Sequence, residues 1–65
     1  MKKYLVVYYY SMGETKSYLC EEGCYSQYIE SAKRFDSDRQ AIEYLLMLPD
    51  TGTTIYLMEN IWVKI

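Results

Sequence analysis

Cys20 and Cys24, the only cysteines in the chain, are the residues whose spacing most invites chemistry. Set either side of Glu21-Glu22-Gly23, they would face each other across the base of a hairpin loop. Three readings stay open: two small thiols beside a turn, a cross-strand disulfide, or part of a metal site shared between subunits. In a reducing compartment the plain thiols are the default. Two thiolates alone do not make a tetrahedral zinc site, and the sequence has no His to complete one. Cys-x-x-x-Cys is also not the redox Cys-x-x-Cys spacing. Without His, the commonest general base is missing as well. No pair of carboxylates is placed for acid–base work, and no Ser or Cys has a base to activate it. The residues therefore point away from catalysis, with no catalytic residue, cofactor or metal expected.

What remains is recognition chemistry. The chain carries nine Tyr and one Trp. On an open sheet face such rings anchor a protein interface or stack on bases; otherwise they fill a small core and pair across strands. Tyr4, Tyr8, Tyr56 and Trp62 are the aromatic candidates for partner binding. Glu21, Glu22, Asp36 and Asp38 are the acidic ones. With Glu14, Glu30, Glu43 and Asp50 they could imitate nucleic-acid phosphates in another protein's basic groove, against the plainer reading of solvated charge. Direct nucleic-acid binding is not expected. Seven Lys plus Arg against nine Asp plus Glu leave a net charge of -2, and basic residues adjoin only at Lys2-Lys3 and Lys33-Arg34. The expected partner is a protein.

Length and composition set the frame for these candidates. Sixty-five residues, 51% hydrophobic, make one domain spanning 1–65 and leave no room for a second. A chain of this size buries only about 60% of its unfolded surface, so its stability is small. Its longest apolar run, Tyr4 to Tyr10, is far short of the roughly 20 residues of a membrane-spanning helix. Met1-Lys2-Lys3 and the following run imitate the start of a secretory signal, but Ser11-Met12-Gly13-Glu14 offers no small-residue cleavage site. A cytoplasmic, unprocessed chain is expected. The aromatic content of 17% argues against disorder.

The elements follow from pattern and punctuation. Residues 2–11 read as a strand with apolar side chains on both faces, Tyr4, Val6, Tyr8 and Tyr10 on one and Leu5, Val7 and Tyr9 on the other. A strand covered twice belongs in the middle of its sheet. Met12-Gly13-Glu14 turns into a second strand, from about Thr15 to Glu21, and a third follows from about Cys24 to Lys33. Ser37-Asp38-Arg39-Gln40 is a capping box. It opens a helix whose apolar stripe is Ala41, Ile42, Leu45, Leu46 and Leu48. Pro49-Asp50-Thr51-Gly52 stops that helix and turns the chain. Residues 53–65 read either as one long strand, perturbed near Glu59, or as a hairpin turning at Glu59-Asn60; the single strand is preferred because that turn lacks Gly.

These elements assemble into an α+β fold: a single four-stranded sheet of order 3-2-1-4, in a β-β-β-α-β sequence, with one helix packed on one face. The helix connection implies that strand four runs parallel to strands three and one. It also leaves the second face open with several tyrosines. A two-fold homodimer, through the open face or through an edge strand, burying Tyr4, Tyr8, Tyr56 and Trp62 is the expected remedy.

Met1-Lys2-Lys3-Tyr4-Leu5-Val6-Val7, Gly23-Cys24 and Asp38-Arg39-Gln40-Ala41 together resemble the small sheet-and-helix fold of HicB-type antitoxins over residues 1–48. One departure stands against that likeness, Tyr18-Leu19-Cys20-Glu21-Glu22 in place of the family's Pro-Asp-Leu-Pro, and no DNA-binding segment after it is expected. Ala32-Lys33-Arg34-Phe35-Asp36-Ser37-Asp38-Arg39-Gln40-Ala41 is similar to a segment found in small proteins of phages and mobile elements, and in size, acidity and form the chain looks like a small anti-CRISPR protein. That second resemblance implies a non-catalytic inhibitor of a host protein, a defence nuclease complex among the candidates. The first implies an antitoxin-like partner of a small toxin. A structural homodimer subunit is the third reading.

Overall fold

A computed structural model describes residues 1–21, 24–48 and 54–64. The expected turns at Glu22-Gly23 and Pro49–Gly52, and Ile65, lie outside the described residues. Four strands, β1 (Lys2–Ser11), β2 (Thr15–Leu19), β3 (Tyr25–Ser26) and β4 (Leu57–Val63), form one antiparallel sheet of order β3-β2-β1-β4. Among the described residues one helix, α1 (Asp38–Leu46), packs against it, and a 3-10 turn covers Ile29–Ser31. The α+β architecture and the strand order agree with the sequence pattern.

β1 is central because it is apolar on both sides. Val6 and Val7, adjacent and pointing to opposite faces, are both fully buried. On the helix side, Val7, Leu19, Phe35 and Ala41 form a cluster packed by Leu5, Tyr44, Leu45, Leu48, Tyr56 and Met58. On the other side, Val6, Tyr18 and Ala32 form a second cluster with Tyr8, Ile29 and Ile61. The single helix led to the expectation that this face is left open, but Ile29 and Ala32 cover part of it.

Two expectations about direction and length are corrected. β4 runs antiparallel to β1, not parallel, in an unbroken register from Lys2↔Val63 to Tyr8↔Leu57. That register shows one strand, with neither a hairpin at Glu59-Asn60 nor a bulge near Glu59. The cause lies in the third strand, which lasts two residues instead of reaching Lys33. Ser26 Oγ accepts the Tyr28 N–H at 3.1 Å, a local bond that diverts the backbone from the ladder. The chain then crosses the sheet, and Lys33 N–H donates to the Leu19 carbonyl at 2.8 Å. Phe35 next pairs with Leu5 through reciprocal 2.8 Å bonds in an antiparallel bridge. The chain thus enters α1 already running against β1, and β4 leaves in that same sense.

The helix starts where the capping box places it. Ser37 Oγ accepts the Gln40 N–H at 3.3 Å, an arrangement whose loss to Ala costs about 1 kcal/mol. Gln40 reaches back one residue further than the box requires, its Oε1 accepting the Asp36 N–H at 3.1 Å. The buried stripe differs from the expected one. Ala41, Tyr44, Leu45 and Leu48 face the sheet, whereas Ile42 and Leu46 are exposed, because they fall more than a quarter-turn from the stripe's centre.

Candidate functional site

The sheet's alternation sorts the aromatic candidates onto two surfaces. Tyr4 and Tyr8 lie on the face opposite the helix, on even positions of β1. In the register with β1, Met58, Asn60 and Trp62 share the helix side with Leu5 and Val7, and Tyr56 packs into the helix-side cluster. Tyr4 and Tyr8 therefore lie on the opposite side of the sheet from Tyr56 and Trp62, so a contact through one sheet face does not bury all four at once.

Each ring has a distinct setting. Tyr4 is flanked by cations, with Lys2 Nζ 5.0 Å and the Arg34 guanidinium 5.7 Å from its centroid. Tyr56 hydroxyl lies 2.8 Å from that of Tyr25, and the Tyr9 ring stands edge-on to both. Small Ser17, opposite Tyr9 on β2, leaves space for Tyr25 to reach across. Trp62 is 63% exposed.

Tyr8 belongs to a polar knot that explains Glu59, the acidic residue on the otherwise apolar side of β4. Tyr18 hydroxyl donates to Glu59 Oε1 at 3.1 Å, and Lys16 Nζ lies 3.4 Å from the same oxygen. Lys16 also sits 4.7 Å above the Tyr8 ring. Burial, then the bond to Glu59, raises the Tyr18 phenol above its ordinary value. Loss of solvent works most strongly against the Lys16 charge, yet the Glu59 carboxylate, together with Tyr18 and Tyr8, outweighs it and the ammonium is also held above its ordinary value. Burial and then neighbouring Tyr10 raise Tyr8 as well. The knot ties β2 to β4 across β1. Alternation marks Glu59 as out of pattern, whereas its partners follow only from the register that sets β2 and β4 either side of β1.

Beyond Tyr8, β1 outruns β4. Tyr9 and Tyr10 continue past the last pair, Tyr8↔Leu57, and the step left behind is a shallow apolar groove lined by Tyr9, Tyr10, Thr54, Ile55 and Leu57. Ile55 is 80% exposed, Tyr10 50% and Leu57 38%. Tyr8 abuts this groove, its ring 5.7 Å from Tyr10 in an edge-on contact. Tyr10, Ile55 and Leu57 were not among the sequence candidates. The apolar composition of the two strands was plain, but not that one ends before the other.

The acidic candidates are locally engaged. Asp36 pairs with Lys2 at 3.4 Å and Glu21 with Lys33 at 3.3 Å. Asp38 Oδ1 accepts the Arg39 N–H at the start of α1. Glu22 lies outside the described residues. Both cysteines are free thiols, half-buried Cys20 and exposed Cys24. Their backbones are joined by a 2.8 Å bond from Cys20 N–H to the Cys24 carbonyl. Burial, and then Cys24 nearby, pushes the Cys20 thiol up, which disfavours the reactive thiolate. Among the described residues no group of three or more Cys, Asp or Glu gathers as metal ligands. No helix there is long and apolar enough to cross a membrane.

Comparisons of the chain with protein-family models, with curated proteins and with solved structures find no match in any of the three.

Proposed function

We propose that this chain is a non-catalytic binding protein that docks on another protein, in the manner of a phage- or mobile-element-encoded inhibitor of a host defence complex. The observation that carries the reading is the groove at the end of the sheet. Ile55, Tyr10 and Leu57 stay exposed together in a domain small enough to need every apolar contact it can make. Contiguous aromatic and aliphatic side chains of this kind form the anchors of protein interfaces. The pairing of Asp36, Glu21 and Glu59 with Lys2, Lys33 and Lys16 supports apolar docking over phosphate mimicry.

Affinity capture from a bacterial lysate tests this, with wild type beside Ile55→Asp and Tyr10→Ser. Both positions lie outside the buried clusters, so the fold should survive. The expected result is one host protein retained by wild type and reduced roughly tenfold or more in the variants, as when an anchor is lost. A nuclease effector in that fraction selects the inhibitor, and a toxin selects the antitoxin-like alternative. Equal recovery by all three chains would contradict docking through the groove.

A further inference from the structure

We infer that two copies of this chain join along the open edge of β4 as an antiparallel, two-fold pair centred on Asn60, extending the sheet across both subunits. The inference goes beyond docking through the groove and does not depend on it.

The phase of the backbone hydrogen bonds leads to it. Leu5 spends both its N–H and its C=O on Phe35, on the β2 side of β1. In an antiparallel strand the two groups of one residue point the same way and successive residues alternate. Tyr4, Val6 and Tyr8 therefore turn toward β4, and their partners Ile61, Glu59 and Leu57 turn toward β1. Met58, Asn60 and Trp62 are left with their N–H and C=O directed outward, where no further strand of the described residues pairs with them.

Sheet edges are usually protected by a short strand, a proline, a bulge or a lysine. The opposite edge, β3, is two residues long. β4 has seven residues in unbroken register, with no Pro, Lys or Arg among them. Its one charged side chain, Glu59, is engaged by Tyr18 and Lys16 across the sheet, so β4 is the long edge of the described sheet with no proline, lysine or bulge to guard it.

The edge also complements itself. Pairing centred on Asn60 brings Met58 opposite the partner's Trp62, Asn60 opposite the partner's Asn60, and Leu57 opposite the partner's Val63. All the outward groups of Met58, Asn60 and Trp62 then meet reciprocal partners, and every residue of Leu57–Val63 is used. Methionine sulfur against an indole ring is a favourable contact, and here it would cover exposed Trp62. A pairing centred instead on Glu59 would place two carboxylates directly opposite, which is unfavourable. One centred on Ile61 would leave Leu57 and Met58 beyond the described end of the partner's strand. Charge and overlap therefore favour the same centre, and an isologous two-fold contact is the commonest way such chains associate.

Sedimentation equilibrium over a wide concentration range tests the edge, using wild type, Asn60→Pro and Asn60→Lys. Proline at this position deletes an N–H that points away from β1, so the β1–β4 ladder is kept. Lysine places two ammonium groups at the two-fold axis and tests the edge independently should the proline variant fail to fold. Protection of the Val6 and Val7 amides from exchange verifies folding. The expected result is a wild-type mass rising from 7.8 kDa toward twice that value, and loss of the rise in the folded variants. A wild-type chain that stays near 7.8 kDa throughout, or a dimer that survives in either folded variant, overturns the inference.

Discussion

Glu59 shows how one side chain can look misplaced in a sequence and be satisfied in the fold. It interrupts the Leu57, Ile61 and Val63 face, yet Tyr18 and Lys16 reach it from two strands away. This arrangement has a pH signature. The Lys16 and Tyr18 groups are raised above ordinary values of 10.5 and 10.0, so the folded state holds their protons more tightly than the unfolded state does. Stability from these shifts is fully present below those ordinary values and is lost as pH rises through the higher folded ones. Glu59→Gln removes the charge that holds Lys16 and the carboxylate that binds Tyr18. Urea midpoints measured at neutral pH and above pH 10 should show a smaller alkaline loss in this variant than in wild type. Equal losses would mean that Glu59 does not govern either group. At neutral pH the cost of the substitution should be modest, on the order of 1 kcal/mol, because both charged partners remain partly exposed.

At the scale of elements, the decisive feature is that β1 is covered on both sides and bonded on both edges. Amides of residues 4–9 should therefore exchange about as slowly as any in the domain, with Val6 and Val7 among the slowest. Exchange as fast as at the β3 edge would contradict the strand order. Much of this was legible in the residues. The double apolar face of Tyr4–Tyr10 placed β1 at the centre, and Ser37 with Gln40 marked the start of α1. The direction of β4 was not legible, because it depends on where the third strand stops. At that point Ser26 Oγ accepts the Tyr28 N–H, a local bond that competes with the ladder and that the pattern of the following residues does not reveal. The expected helix stripe included two residues too many and lacked Tyr44. Tyr44 sits inward against Phe35, with ring centroids 5.6 Å apart, while Ile42 and Leu46 stay outside. The groove was the least legible feature, since it comes from a difference in strand ends and not from any residue type.

For the whole molecule, two apolar clusters on the two sides of β1 must supply most of the stability, and a chain of this length has little to spare. Leaving Ile55, Tyr10 and Leu57 outside both clusters is costly unless another surface covers them. The proposed function assigns that surface to a partner protein, while the β4 edge is assigned to a second copy. A photo-reactive phenylalanine analogue placed at Tyr10, at Trp62 or at exposed Arg39 separates these assignments in one lysate experiment. The expected cross-links run from position 10 to a different protein, from position 62 chiefly to a second copy of the chain, and from position 39 to neither. Indistinguishable cross-linking from positions 10 and 39, or cross-links from position 10 to the chain itself alone, would contradict the central claim that the groove is the docking surface.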